Sequence, residues 1–490
     1  MQPNPAGGTV ERSAARPNAI LAIILISYFM ILLDNSVIFT GLPSIRADLD
    51  LSPGVLSWVQ DAYTLVFGGL LLLGARAGDL LGRRRLFVAG LSIFGVASLL
   101  IGLAPTGWWI VAARALQGIG AAIVAPTSLA LITAHFNGRE RARAVAWYGA
   151  TAGIGASLGL LVGGALAAWI SWRAAFLVNV PIAVAMIVAA RRVLAETGRS
   201  RGRFDALGAG YATLGMGALV FGIVSAAEYG WAAPVALAGL AAGVLLLTAL
   251  VFHESRAEQP IMPLRLFRDR ERSGAYAARM LYMGAMIGFF YFTTQYLQDV
   301  LGFDPLQAGL GFLPMTAVNF AVAMAIPRLS DRLPRAALLT AGVAATAAGM
   351  AWLSRLDAGD TYLTAVALPM LLIGAGQGLA FAPLTSAGIA RIGSADAGAA
   401  SGLVNTAHQL GMALGLGILV AASTRTAAPG SAPGGAGGVA AHVSAALTGS
   451  TVLLALALLV VMLVIAPARQ TPSTVPATPI NDSKREEATA

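Results

Sequence analysis

Runs of about twenty apolar residues recur along this chain from residue 19 to 466, and short links between them hold nearly all of the charge. A run of that length can cross the hydrocarbon core of a bilayer as a helix. Backbone N–H and C=O groups in lipid must bond within the protein, which leaves few other folds open. Of the 490 residues, 57% are hydrophobic and only 11% charged. Soluble domains carry about a quarter charged residues, so the chain is expected to be an all-α membrane protein. The first run, Ile20–Leu33, is long and ends at Asp34 and Asn35, which argues against a cleavable signal.

About fourteen spans are expected. They lie at 19–40, 55–73, 86–103, 108–130, 143–166, 174–190, 206–226, 234–252, 274–296, 306–327, 336–354, 361–383, 398–422 and 443–466. Alternate links are rich in arginine: Arg83 to Arg85, Arg139 to Arg143, Arg191 to Arg203, Arg265 to Arg272 and Arg328 to Arg335. The others carry Asp48, Asp50, Glu228, Asp299, Asp304 and Asp360. Because positive links stay in the cytoplasm, both termini are expected there and the span count is even. Twelve and fourteen both fit; the two extra runs between 206 and 252 favour fourteen. The near absence of lysine, with the Ala and Gly richness, suggests a bacterial cytoplasmic membrane.

Two links share a skeleton. GARAGDLLGRRR (74–85) and RLSDRLPR (328–335) both read Arg-x-x-Asp-x-x-x-Arg, pairing Arg76, Asp79 and Arg83 with Arg328, Asp331 and Arg335. The offset is 331 − 79 = 252, and GASLGL at 155 is echoed by GMALGL at 411, 411 − 155 = 256. Two matches at nearly one offset imply a duplication, as in transporters built from parallel repeats. The expected organisation is a tail at 1–18, a six-helix bundle at 19–190, and links with two extra central helices at 191–272. A second, pseudo-symmetric six-helix bundle follows at 273–466, then a tail at 467–490. Both tails and the Ala/Gly/Ser/Pro-rich link 423–442 read as flexible.

Cysteine is absent and the four histidines show no ligand spacing, so no metal or cofactor is expected. The net charge of +9 follows the alternating links and does not indicate nucleic acid. Ionisable groups inside apolar runs are costly and mark functional sites by default. Asp34 is one: it is either a proton carrier facing a wet cavity or a helix-end acid in the interface. Arg114, in ARALQGIGAA, is a fixed charge able to bias a nearby carboxylate, or an arginine snorkelling towards Trp108 and Trp109. Gln117, three residues on, shares its helical face. Asp61 reads equally as a solvated acid at the start of a helix or as a coupling or cation-recognition group. Gly78, Asp79, Gly82 and Arg83 form a hinge that anchors topology and gates, with Asp331 as its echo. Gly155, Gly159, Gly163 and Gly164 allow close helix approach, as ordinary packing or as a sliding surface. Tyr291, Phe292, Gln295, Asn319, Asn405 and Gln409 are cavity candidates, each also readable as a satisfied packing residue. No strongly acidic position lies inside the last five spans, which places any proton carrier in the first half.

These segments together resemble the fourteen-helix drug:proton antiporter family of the major facilitator superfamily. GARAGDLLGRRR resembles the superfamily's hinge between helices 2 and 3, and ARALQGIGAA its Arg-x-x-Gln-Gly motif on helix 4. GASLGLLVGG (155–164) resembles the exporter motif on helix 5, SWRAAFLVNVP (171–181) the stretch after it, and LDNSVIFTGLP (33–43) the helix 1 motif. The chain departs from the pattern at Leu160, where proline is usual, and at Ala75, Ala77 and Leu80. The resemblance implies that Asp34 and Arg114 belong to proton coupling and Asp79 to a network stabilising the outward-facing state. It also aligns Asp61 with an acid that some relatives place in the drug cavity. The function it implies is proton-driven efflux of hydrophobic, possibly cationic, drugs or antibiotics by a monomer in the lipid bilayer. A dedicated exporter of one natural product is the alternative, and a membrane-embedded enzyme or receptor a remote one.

Overall fold

The structure, a computed structural model, describes residues 17–196, 205–258, 260, 262–392, 397–423 and 435–467. Helices carry nearly all of them. They are α1 (Pro17–Leu49), α2 (Pro53–Leu81), α3 (Arg83–Gly102), α4 (Gly107–His135), α5 (Gly138–Trp169), α6 (Trp172–Val193) and α7 (Ala206–Tyr229). There follow α8 (Pro234–Glu254), α9 (Arg270–Gln295), α10 (Pro305–Ser330), α11 (Arg335–Leu353), α12 (Leu363–Gly388), α13 (Ala397–Ser423) and α14 (Ala436–Ile465). Twelve are long and apolar enough to cross a membrane. The other two, α5 and α9, are 32 and 26 residues long. Arginines occupy the first turns of both; α5 continues into the uncharged apolar stretch Leu158–Trp169, and α9 is buried along almost its whole length.

Most helices outrun the apolar segments expected from sequence. Hydropathy marks what sits in hydrocarbon, whereas a helix continues until its free N–H and C=O groups find other partners. Thus α1 reaches Leu49, and α2 begins after Ser52, whose hydroxyl accepts from Val55 N at 3.3 Å. Asp205 and Asp269 cap α7 and α9 through Gly208 N and Arg272 N at 2.9 and 3.0 Å. Asp304 and Gln307 form a reciprocal box at the start of α10. Within the link expected to be a flexible loop, Ala436 to His442 are already helix, and 424–434 lie outside the described residues, as do 1–16 and 468–490. α5 runs unbroken through Leu160.

The duplication is visible as packing. A Cβ added at Gly155 would lie 2.8 Å from Leu32 Cβ, and one at Gly159 2.6 Å from Ser36 Cβ, so α5 touches the α1 backbone. In the second half Gly411 presses α13 onto α9, where a Cβ would lie 2.5 Å from Met280 O, and Gly415 meets Gly284. The echoed glycines therefore serve the same helix pair in each half. α3 and α4 meet at Gly90 and Gly120, and α11 and α12 at Gly342 and Gly376, with offsets 342 − 90 = 252 and 376 − 120 = 256.

α7 pairs with α8 and seats Met216, Val220 and Val224 against Leu65 of α2 and Ala413 of α13, across the seam between the halves. The halves also meet at the end opposite the arginine-rich links. There Gln298 Nε2 donates to Thr40 O at 2.9 Å and the Phe39 and Phe290 rings stack at 5.5 Å. Gly164 abuts the backbone at Pro305 and Leu306, while Gly309 meets Leu160.

Forcing side chains into such contacts costs about 1–3 kcal/mol or more. Gly415→Leu is therefore expected to lower the melting temperature in detergent by several degrees. Gly217→Leu on α7, where a Cβ meets nothing within 4 Å, should leave it unchanged. Equal effects would show that the α9–α13 approach is not tight.

Candidate functional site

Asp34 lies midway along α1, fully buried, in a cage built by four other helices. Its Oδ2 accepts from Arg114 Nη1 of α4 at 2.9 Å. Its Oδ1 accepts from Gln117 Nε2 at 2.9 Å and from Asn179 Nδ2 of α6 at 2.7 Å. Gln117 Nε2 also reaches Ser98 Oγ of α3 at 2.9 Å. Arg114, equally buried, donates from Nε to Val59 O at 3.0 Å, from Nη1 to Gln117 Oε1 at 2.6 Å and from Nη2 to Gln60 Oε1 at 3.3 Å. The Tyr63 ring stacks on its guanidinium at 4.3 Å. Burying such a pair is favourable only when its remaining hydrogen-bonding capacity is met, as here.

The arrangement has a chemical consequence. If Asp34 gains a proton, the ion pair is lost, yet Arg114 keeps three neutral acceptors: the Val59 carbonyl and the amide oxygens of Gln60 and Gln117. The cage can thus hold the carboxyl group in either charge state. The glycine face of α5 bears directly on its position, because Gly159 lies against Leu33 and Ser36, which flank Asp34.

The second half has the scaffold without the charges. By the matched glycine contacts, Gly155 on Leu32 and Gly411 on Met280 (280 − 32 = 248), Asp34 corresponds to Tyr282, which bonds Thr346 at 2.9 Å; at the α3–α11 offset Ser98 corresponds to Met350 (350 − 98 = 252). Arg114 and Gln117 correspond to Met370 and Ile373 (370 − 114 = 256; 373 − 117 = 256), both fully buried.

Asp61 is on α2, next to Gln60, but does not join the cage. It is fully buried and neither carboxylate oxygen has a hydrogen-bond partner. It is within electrostatic reach of Tyr291 on α9. The other cavity candidates are dispersed. Phe292 meets the His442 ring of α14 at 5.6 Å, and Gln295 Nε2 donates back to Tyr291 O at 3.3 Å. Gln409 is buried with its Oε1 unpartnered, Asn319 is half-buried, and Asn405 is exposed on α13. Gln117 belongs to the Asp34 cage.

At the hinge, Gly82 adopts φ +101, a left-handed conformation that favours glycine, and an added Cβ would lie 2.7 Å from Glu196 Oε1. That carboxylate accepts from Arg84 N and Arg85 N at 3.1 and 3.2 Å, capping the positive end of α3. Arg83 Nη1 donates to Ala130 O at 3.0 Å, and an added Cβ on Gly78 would lie 3.1 Å from Thr127. The side chain of Asp79 lies outside the described residues. The echo bonds differently: Asp331 is exposed after α10, and Arg335 approaches Glu271 at 3.8 Å. Arg391 bridges Glu271 and Asp269 at 2.7 and 3.0 Å. Partial burial opposes charge on Asp269, but the Arg272 N–H and the Arg391 guanidinium hold its carboxyl below the usual range.

Gln60, Ser98, Asn179 and Glu196 were not among the residues singled out from sequence. The first three are neutral polar residues inside apolar runs, and that isolation was their only signal.

The sequence profile of the Major Facilitator Superfamily matches residues 24–416. The chain is 39% identical over 423 residues to the cephamycin export protein of Amycolatopsis lactamdurans, covering 85% of this chain and 87% of that one. It is 40% identical over 416 residues to a puromycin resistance protein of Streptomyces alboniger, covering 83% and 82%. A tetracenomycin C resistance and export protein of Streptomyces glaucescens is 30% identical, covering 84% and 78%. Among solved structures, a bacterial homolog of the lysosomal transporter Spinster superposes with TM-score 0.65 at 16% identity, covering 91% of this chain and 96% of that one. The POT family transporter PepTSo gives 0.65 at 15%, covering 91% and 98%. Both likenesses concern the fold.

Removing one member of a buried pair costs about 3–5 kcal/mol, because the other is left uncompensated. Asp34→Asn and Arg114→Gln should each lower unfolding stability in detergent, and the double variant by clearly less than their sum. Additive losses would mean the two groups are not coupled.

Proposed function

The chain belongs to the Major Facilitator Superfamily, and from that premise we propose that it exports hydrophobic antibiotics or drugs in exchange for protons. Relatives similar along most of their length are named for antibiotic export or resistance. The observation that carries the coupling is the buried Asp34–Arg114 pair, a fixed charge facing a titratable one inside a cage of neutral polar groups. By the distribution of arginine, the end bearing residues 82 and 331 faces the cytoplasm of a bacterial cell, and all fourteen helices cross the membrane. The bundles 19–190 and 273–466 rock about the seam covered by α7, and the hinge residues set the balance between the two states.

In this cycle a proton arriving from outside neutralises Asp34, and the loss of its bond to Arg114 loosens α1 from α4 and releases the substrate outward. Loss of the proton to the cytoplasm restores the pair. The driving force suffices: one charge crossing about 100 mV supplies roughly 2.3 kcal/mol, and one pH unit about 1.4 kcal/mol. Together they sustain a gradient of roughly a few hundredfold for a neutral substrate. A cation exchanged for one proton would draw on the pH difference alone. Asp61, unpartnered and facing α9, is proposed to meet the substrate.

A second reading is favoured by the relatives whose names state one compound: export of a single natural product as self-resistance. Resistance tested across unrelated antibiotics separates it from multidrug export.

In inside-out vesicles the wild type should accumulate substrate when an imposed pH gradient is acid inside, and Asp34→Asn should lose that dependence while still binding substrate. Wild-type gradient dependence in Asp34→Asn would refute the coupling role.

A further inference from the structure

A second arginine is buried at membrane depth, in the half whose scaffold is otherwise neutral. Arg279 is nine residues into α9 (279 − 270 = 9), roughly 13 Å along the helix from its first residue. It is 3% exposed. Its Nη1 donates to Thr385 Oγ1 of α12 at 3.2 Å and its Nη2 meets His408 Nδ1 of α13 at 3.0 Å. The Phe381 ring lies 4.0 Å from the guanidinium carbon.

Nothing there answers the charge. Among the described residues no carboxylate forms an ion pair with Arg279, and its Nε is buried with no acceptor. Arg114 is bonded to a carboxylate and three amide oxygens, whereas Arg279 has only a hydroxyl and an imidazole nitrogen. An uncompensated buried guanidinium is expensive, so an arginine kept this way is poised for an anion that comes and goes. The planar fork of N–H donors suits a carboxylate. Because a guanidinium can only donate, His408 Nδ1 accepts and the ring proton is on Nε2. The site is not sealed: Phe381 is 40% exposed, and Asn405, three residues before His408 on α13, is exposed.

We propose that Arg279, with Thr385 and His408, forms a subsite for a carboxylate carried by the exported molecule. The proposal rests on the export reading and narrows it: the first half offers an unpartnered acid at Asp61, the second an unpartnered cation. Substrates with a free carboxylate, alone or beside an amine, are favoured over their esters.

The test uses the full chain in nanodiscs of phosphatidylcholine alone, which removes anionic lipid as a competing occupant. Rhodamine B, which carries a free carboxylate, is titrated against its ethyl ester by fluorescence anisotropy. Arg279→Gln should weaken the acid by about tenfold or more and leave the ester within about twofold, with Arg279→Lys retaining part of the preference. Thr385→Val keeps the arginine and should weaken the acid alone, which guards against a folding defect in Arg279→Gln. Equal weakening of acid and ester, no weakening of either, or no binding of the acid by wild type overturns the subsite. Efflux of the acid from vesicles is read separately. If wild type fails to move it while Arg279-dependent binding of the acid persists, export is wrong and the subsite stands.

Discussion

One buried ion pair organises the first half of this protein. Asp34 and Arg114 are completely removed from solvent, and each makes sense only with the other present. Around them, five helices contribute donors and acceptors: α1 the acid, α4 the arginine and Gln117, α2 Gln60 and the Val59 carbonyl, α3 Ser98, α6 Asn179. Among the described residues α5 adds no hydrogen bond to the pair, yet its glycines fix how deeply α1 can sit. A change in the charge of one carboxyl group is therefore felt by nearly every helix of the bundle. That is the physical requirement for linking a proton to a conformational change.

The duplication makes this plain by contrast. The same close helix pairs recur in the second half, α13 on α9 and α12 on α11, so the backbone scaffold is shared. Its equivalent interior positions hold Tyr282, Met350, Met370 and Ile373, which keep the packing and discard the charge. The second half instead carries Arg279 near the accessible Phe381 and Asn405, with no carboxylate to meet it. One scaffold thus holds two different buried arginines: one paired with a carboxylate, the other with a hydroxyl and an imidazole.

Much of the fold could be read from the residues. Apolar run lengths located the helices, and the echoed glycines at 155 and 411 pointed to equivalent packing. Asp34 and Arg114 stood out because charge inside an apolar run is rare. Their neutral partners did not, since Gln60, Ser98 and Asn179 come from three different helices and no spacing links them. Asp61 was ambiguous for a related reason: sequence places it near a helix start, but its burial comes from the packing of α2 between helices of both halves, among them α4 and α13. The hinge echo was legible as sequence and misleading as bonding. Gly82 needs a left-handed turn and leans on Glu196, whereas Asp331 is exposed and the acid–arginine cluster of that half is built from Asp269, Glu271 and Arg391.

The central claim is that Asp34 exchanges a proton as substrate binds and leaves. The most direct measurement is proton release on substrate addition, followed with a pH indicator in weakly buffered detergent solution. Release is expected from wild type, at a pH where Asp34 is partly protonated, and none from Asp34→Asn although substrate still binds. Equal release from both proteins would contradict it.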